Sequence, residues 1–291
     1  MKILIIVPIV LAIGLTAILL RNTASANGQA LSNTAEDGQL SLLDESSDPD
    51  RTAFVADYWL WIFSEAGIPE RIARGVSNAA LESPAFVMEL LAILQQDPYT
   101  FALVDKQFPL PYDYAPDDLV SLGDLSARSY RITRNDLSLR RMVVDALQEM
   151  ATAATADGVV LSVGSSYRSA PRQAEIYSAQ VRAYGQEAAD RQSARAGHSQ
   201  HQLGLTLDFS PIEDSFAETA ASKWLIDNAS RFGFSLSFPN GYEEVTGYRW
   251  ESWHYRYVGK DLAAFINEYF EGIQQYALQF IKVWLERAGN S

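Results

Sequence analysis

The chain has no cysteine among its 291 residues, so it can form no disulfide and offers no thiol nucleophile, thiolate ligand or lipid-modified cysteine. Any metal held by its side chains must therefore be held by histidines and carboxylates. Histidine is scarce too, with only three in the chain. Cations are in short supply: 23 Lys and Arg face 36 Asp and Glu, a formal net charge of −13. That balance argues against nucleic acid as a partner, because a phosphate backbone wants a basic face. No internal repeat is visible. What remains is an ordinary globular composition, 48% apolar and 20% charged, in a chain long enough to bury a core.

The amino terminus carries an export pattern. Lys2 is followed by an apolar run over residues 3–20, then Arg21 and the small residues Thr23-Ala24-Ser25-Ala26. A basic start, an apolar middle and an Ala-x-Ala end describe a signal peptide, and the run is also long enough to anchor in an inner membrane. Either reading of residues 1–26 places the rest outside the cytoplasm, in the periplasm or cell envelope. Residues 27–51 are polar and acidic and read as a flexible linker. Residues 52–98 turn apolar and aromatic, broken by Gly67, Pro69, Gly75 and Pro84 into short helical pieces, a helical subdomain. Four prolines between Asp97 and Asp118 then impose an extended approach. Leu139, Val143, Leu147, Met150 and Ala154 recur at helical spacing, and Val159, Leu161 and Val163 alternate as a strand does. Ser169 and Pro171 open another helix that runs to about Gly185. Further strands are expected at 204–209 and 253–258, and residues 261–291 read as one amphipathic helix. Strands and helices do not alternate regularly, so the expected class is α+β, with a mostly antiparallel sheet and flanking helices.

All three histidines fall in two segments, Gly197-His198-Ser199-Gln200-His201 running on to Asp208, and Trp250-Glu251-Ser252-Trp253-His254. A catalytic zinc takes three protein ligands from histidine and carboxylate and keeps one position for water. His201, Asp208 and His254 can supply that set. Seven residues apart on one straight strand, His201 and Asp208 would point to opposite faces. Gly204 permits a turn between them, with Leu205 and Leu207 toward the core and Thr206 and Asp208 toward the site. Glu251 is expected on a turn ahead of the last strand, beside the metal without ligating it, where a general base belongs. Arg168, at a strand–helix junction, can bind a carboxylate or stabilise an oxyanion.

Taken together, Ser-x-His-x-x-Gly-x-x-x-Asp at 199–208, Glu-x-x-His at 251–254 and Ser-Tyr-Arg-Ser at 166–169 resemble the VanY-type D-alanyl-D-alanine carboxypeptidases. That superfamily also holds lysostaphin-type and VanX-type peptidases and the hedgehog domain. The resemblance spans about residues 98–260, so 99–260 is read as a zinc peptidase domain. It implies zinc ligation by His201, Asp208 and His254, Glu251 as catalytic base and Arg168 as the group polarising the scissile carbonyl. It also implies that Ser199 contacts the substrate's terminal carboxylate, with Gln173 and Tyr167 lining the pocket. Trp253 reads equally as pocket wall or core, and His198 as a neighbour of the site. The implied activity is a D,D-carboxypeptidase acting on peptidoglycan stem peptides. Its alternatives are an L,D-carboxypeptidase or L-Ala-D-Glu endopeptidase on the same polymer and, from another class, a non-catalytic zinc-containing cell-wall binding module.

Overall fold

The computed structural model describes residues 49–288. The expected signal or anchor at 1–26 and most of the linker at 27–51 lie outside them; the linker's last residues instead begin a helix, Pro49–Glu65. Among the described residues no single helix is long and apolar enough to cross a membrane. The chain divides into two compact units, residues up to 91 together with those from 279 on, and residues 92–278.

The first unit is helical, as the broken apolar pattern implied. Helix Glu70–Glu82 follows Pro69 and buries Ile72, Ala73, Val76, Ser77 and Ala80, one face at helical spacing. Its core is aromatic. Phe63 stacks on Phe280 with centroids 4.8 Å apart, and Trp59 meets Phe86 edge-on at 5.3 Å.

The second unit is built on a five-stranded sheet of order β2-β4-β5-β7-β6. Its strands are β2 (Arg131–Ile132), β4 (Ser162–Ser165), β5 (Thr206–Phe209), β6 (Phe234–Leu236) and β7 (His254–Tyr257). Two further strands, β1 (Leu119–Ser121) and β3 (Ser138–Arg140), form a separate antiparallel pair. The sheet is mixed rather than purely antiparallel. β2 runs parallel to β4, because helix Arg141–Ala156 carries the chain back between them, and the other pairings are antiparallel. That helix buries Val143, Leu147, Met150 and Ala154 against Val163, Leu205, Leu207 and Phe209. The Val, Leu, Met and Phe side chains among these each contribute about 1.5–3 kcal/mol by leaving water.

The carboxy-terminal reading needs a correction. Two helices stand where one was expected, Lys260–Tyr269 and Gln274–Ala288. The break falls where Glu271 (φ 54°) and Gly272 (φ 75°) turn left-handed, a conformation that ends an α-helix. A second feature had no signal in the sequence. Arg256, wholly buried on β7, donates through Nη2 to the carbonyls of Tyr99, Thr100 and Ala102, tying the approach segment to the sheet.

Candidate functional site

The first motif turns at its glycine. Ser199 opens a 3₁₀ turn over Gln200–Leu203, its hydroxyl accepting from the His201 N–H at 3.3 Å. Gly204 ends the turn at φ 68°, and a Cβ there would come within 3.0 Å of Arg140 Cγ and 3.1 Å of Leu119 and Pro116. Only glycine suits both the backbone and the space. β5 then starts, with Leu205 and Leu207 buried in the core and Asp208 facing a cavity. Thr206 is buried too but does not line that cavity.

Strand register assembles the rest. Asp208 sits directly opposite His254 on β7 and opposite Ser165 on β4. Cross-strand partners project their side chains to the same face, so three residues distant in sequence form one row. Glu251 lies ahead of β7, with its carbonyl accepting from the His254 N–H at 3.1 Å. The turn brings its carboxylate oxygen 3.4 Å from His254 Nδ1.

His201 Nδ1 is 2.8 Å from the Ser166 carbonyl, which can only accept, so Nδ1 carries the proton and Nε2 presents its lone pair. That lone pair faces Asp208 Oδ2 at 3.2 Å. His254 Nδ1 is 3.1 Å from Asp208 Oδ1, while its Nε2 lies 3.3 Å from Gln200 Oε1. The same Gln200 oxygen accepts from the Ser237 hydroxyl at 2.8 Å, which fixes it as the acceptor end of the amide. One ligand atom from each of His201, Asp208 and His254 falls within 4.8 Å of the others, and all three residues are buried.

The electrostatics call for a cation there. Burial pushes His201 down to about 4, so its ring is neutral near pH 7. Burial acts the same way on His254, but Asp208 and Glu251 outweigh it and hold that imidazole up at about 9. Asp208 is opposed by burial and held well below the usual carboxylate range by both rings. Burial raises Glu251, and His254 offsets only part of that. Even so, Asp208 Oδ1 accepts no well-directed hydrogen bond, and a neutral imidazole lone pair faces a carboxylate oxygen. The charged His254 ring, 3.1 Å from Oδ1, meets part of that charge, and a metal ion would take the place of its proton while engaging the His201 lone pair as well. Two imidazoles and one carboxylate, with one ring oriented by a backbone carbonyl, fit the donor set of a catalytic zinc.

A cavity of about 710 Å³ opens on this cluster. Arg168 lines it, with Nη1 donating to Gln173 Oε1 at 2.7 Å and Nη2 to the Ser165 hydroxyl at 2.9 Å. Burial lowers its pKa, and Asp208 and Glu251 oppose that shift; the guanidinium keeps its charge. Gln173 in turn donates to the Ala194 carbonyl at 2.5 Å, so it braces the arginine more than it presents itself to solvent. Ser199, Gln173, Trp253 and His198 all reach the cavity wall. Trp253 belongs to the hydrophobic core as well, so both readings of it hold. Tyr167 is not among the lining residues; consecutive residues of an extended stretch point to opposite sides, and Arg168 takes the cavity side. Missed from the sequence were Gln200, whose place between two histidines was a usable signal, and Phe238, whose ring stands 4.6 Å from that of His254. Glu213, Asp214 and Arg249 complete one wall from loops that have no periodicity to read.

The chain is similar to known proteins of one family. The family model described as VanY, D-alanyl-D-alanine carboxypeptidase, matches residues 136–260. YodJ, a candidate carboxypeptidase of Bacillus subtilis (strain 168), is 36% identical over 216 residues, covering 68% of this chain and 78% of that protein. Among solved structures, the LdcB LD-carboxypeptidase superposes with a TM-score of 0.54 at 36% identity, over 61% of this chain and 89% of that one. A vancomycin-resistance D,D-pentapeptidase VanY was solved in complex with Zn(II), and VanYB with D-alanine-D-alanine. Each is 34% identical with a TM-score of 0.50, over 60% of this chain and 96% and 94% of those chains.

Proposed function

The chain belongs to the VanY family of D-alanyl-D-alanine carboxypeptidases, and we propose that it is a zinc-dependent D,D-carboxypeptidase removing the last D-alanine of peptidoglycan stem peptides. One observation carries the reading. A buried His201–Asp208–His254 cluster, an adjacent carboxylate at Glu251 and a guanidinium at Arg168 open on a single cavity.

His201, Asp208 and His254 would hold the metal. Bound there, zinc supplies a Lewis-acid charge that acidifies water and polarises a carbonyl. Glu251 takes the proton of the attacking water, and its burial-raised pKa makes the carboxylate a stronger base than an exposed one. The same carboxyl group then returns the proton to the leaving amine as the peptide C–N bond breaks. Arg168, held by Gln173 and Ser165, offers its charge where the carbonyl oxygen becomes negative. Ser199, at the opening of the 3₁₀ turn, contacts the substrate's terminal carboxylate.

The likeness to LdcB favours a second reading, cleavage of the L,D bond of a shortened stem. Purified stem peptides of defined length, incubated with zinc-loaded protein and read by mass, separate the two. Loss of one D-alanine from a stem ending in D-Ala-D-Ala is expected; loss only from a stem carrying a single D-alanine would transfer the assignment to L,D cleavage. The polymer lies outside the cytoplasmic membrane, and the export pattern at 1–26 supports a location in the cell envelope. Residues 1–50 should export a fused reporter that is active only there.

A further inference from the structure

A second, smaller cavity of about 280 Å³ adjoins the catalytic one, lined by Lys106, Asp190, Ser193, Arg195, His198 and Tyr248. Ser193, His198 and Tyr248 line both cavities, so one wall is common to them. The chain carries a net charge of −13, yet the formal charge of this annex is positive. Its one carboxylate, Asp190, is taken by Arg195 at 3.1–3.2 Å, the Tyr177 hydroxyl at 2.6 Å and the Gln186 amide at 2.9 Å.

Lys106 is different. Its ammonium has no carboxylate within ion-pair distance among the described residues, and its contact is the face of Tyr248, 4.9 Å from the ring centroid. Its mount is rigid. Asp105 Oδ1 accepts from the Gln107 and Phe108 N–H groups at 2.8 and 3.0 Å, its Oδ2 accepts from Gln275 at 2.9 Å, and its carbonyl accepts from His198 Nδ1 at 2.8 Å. The lysine stem runs over Gly247, where a Cβ would come within 3.0 Å of Lys106 Cδ. A side chain at 247 would displace the stem, so glycine there keeps the ammonium at the annex.

We propose that this annex is a carboxylate-reading subsite, in which Lys106, with Arg195 beside it, binds a side carboxylate of the stem peptide while the scissile bond lies at His201, Asp208 and His254. The inference rests on the stem-peptide reading above. The carboxylate concerned is not the terminal one, which belongs at Ser199 in the first cavity. It belongs to an acidic residue or to the acidic end of the diamino acid, and amidation of either removes its charge. A partly exposed lysine–carboxylate contact corresponds to about a fivefold preference for the free acid over the amide.

The test uses stem peptides that differ only by amidation, at the acidic residue or at the diamino acid, with the terminal carboxylate left free. Wild-type protein should favour one free acid about fivefold in kcat/KM, expressed in KM and weakened by salt. Lys106→Met should bring that ratio toward one, and Lys106→Glu should carry it below one. Binding of the same peptides to zinc-loaded Glu251→Ala protein, read by calorimetry, should show the same preference without turnover. Absence of any preference in wild type, or a preference that survives both Lys106 variants, would overturn the subsite. Failure of wild type to cleave any stem peptide, while binding still discriminates acid from amide, would sink the peptidase reading and leave the subsite standing.

Discussion

The catalytic cavity has two kinds of wall, and they are held in place by different physics. On one side Asp208 and His254 line it from a cross-strand row on β5 and β7 that Ser165 extends onto β4, with the Asp208 and His254 side chains only 6% exposed. On the other, Glu213 and Asp214 line it from exposed segments, as Lys106 and Arg195 line the adjoining annex, and the Arg195 and Asp214 side chains are 62% and 65% exposed even in their ion pairs. The strand row is positioned by backbone hydrogen bonds that no single side chain controls. The loop wall is positioned by the side chains themselves, in water, where charges are screened. The strand row and the loop wall should therefore fail differently.

The largest effect is expected at the ligand cluster, where His254 stands in the row and His201 on the turn before β5. His201→Ala or His254→Ala removes one of three ligands and leaves Asp208 buried with one imidazole, so most of the zinc should be lost and activity with it. Metal content of the purified variants is the check; full occupancy in both would break the comparison at its strongest point. Glu251→Ala comes next. It should keep zinc and fold while turnover falls by roughly 10²–10⁴-fold, the usual worth of a positioned acid-base group. Near-wild-type hydrolysis by a folded, zinc-loaded Glu251→Ala protein would remove the base from the mechanism. The smallest effect belongs to the loops. Asp214→Asn breaks the ion pair with Arg249 across the cavity rim and should cost about 0–1 kcal/mol in melting experiments, vanishing at high salt. A salt-insensitive loss of several kcal/mol would show that the rim is as rigidly built as the row.

Most of the residues that cluster at the candidate site were legible in the amino-acid sequence. Three histidines in a chain without cysteine leave few ways to hold a metal, and Gly204 announced the turn that lets His201 and Asp208 face one another. The helix read from Leu139 to Ala154 was legible because its spacing follows a local period, and the helical amino-terminal unit because Gly and Pro break an apolar, aromatic stretch. The last helices misled because their apolar stripe continues on either side of a break that only the left-handed backbone at Glu271 and Gly272 makes. Tyr167 misled because neighbours in an extended chain diverge, and nothing local says which one takes the cavity.

What the amino-acid sequence determined by itself was the inventory: which side chains can bind metal, move a proton or stabilise an oxyanion, and the local turns that present them. Only the tertiary structure decided that Asp208 lies opposite His254, that Gln200 braces that ring, that Arg256 ties the approach segment to β7, and that Lys106 stands beside a second cavity. Helix and turn follow from residues a few positions apart, whose geometry the chain cannot escape. Strand register and loop placement depend on partners distant in sequence, and those meet only when the core beneath them has packed.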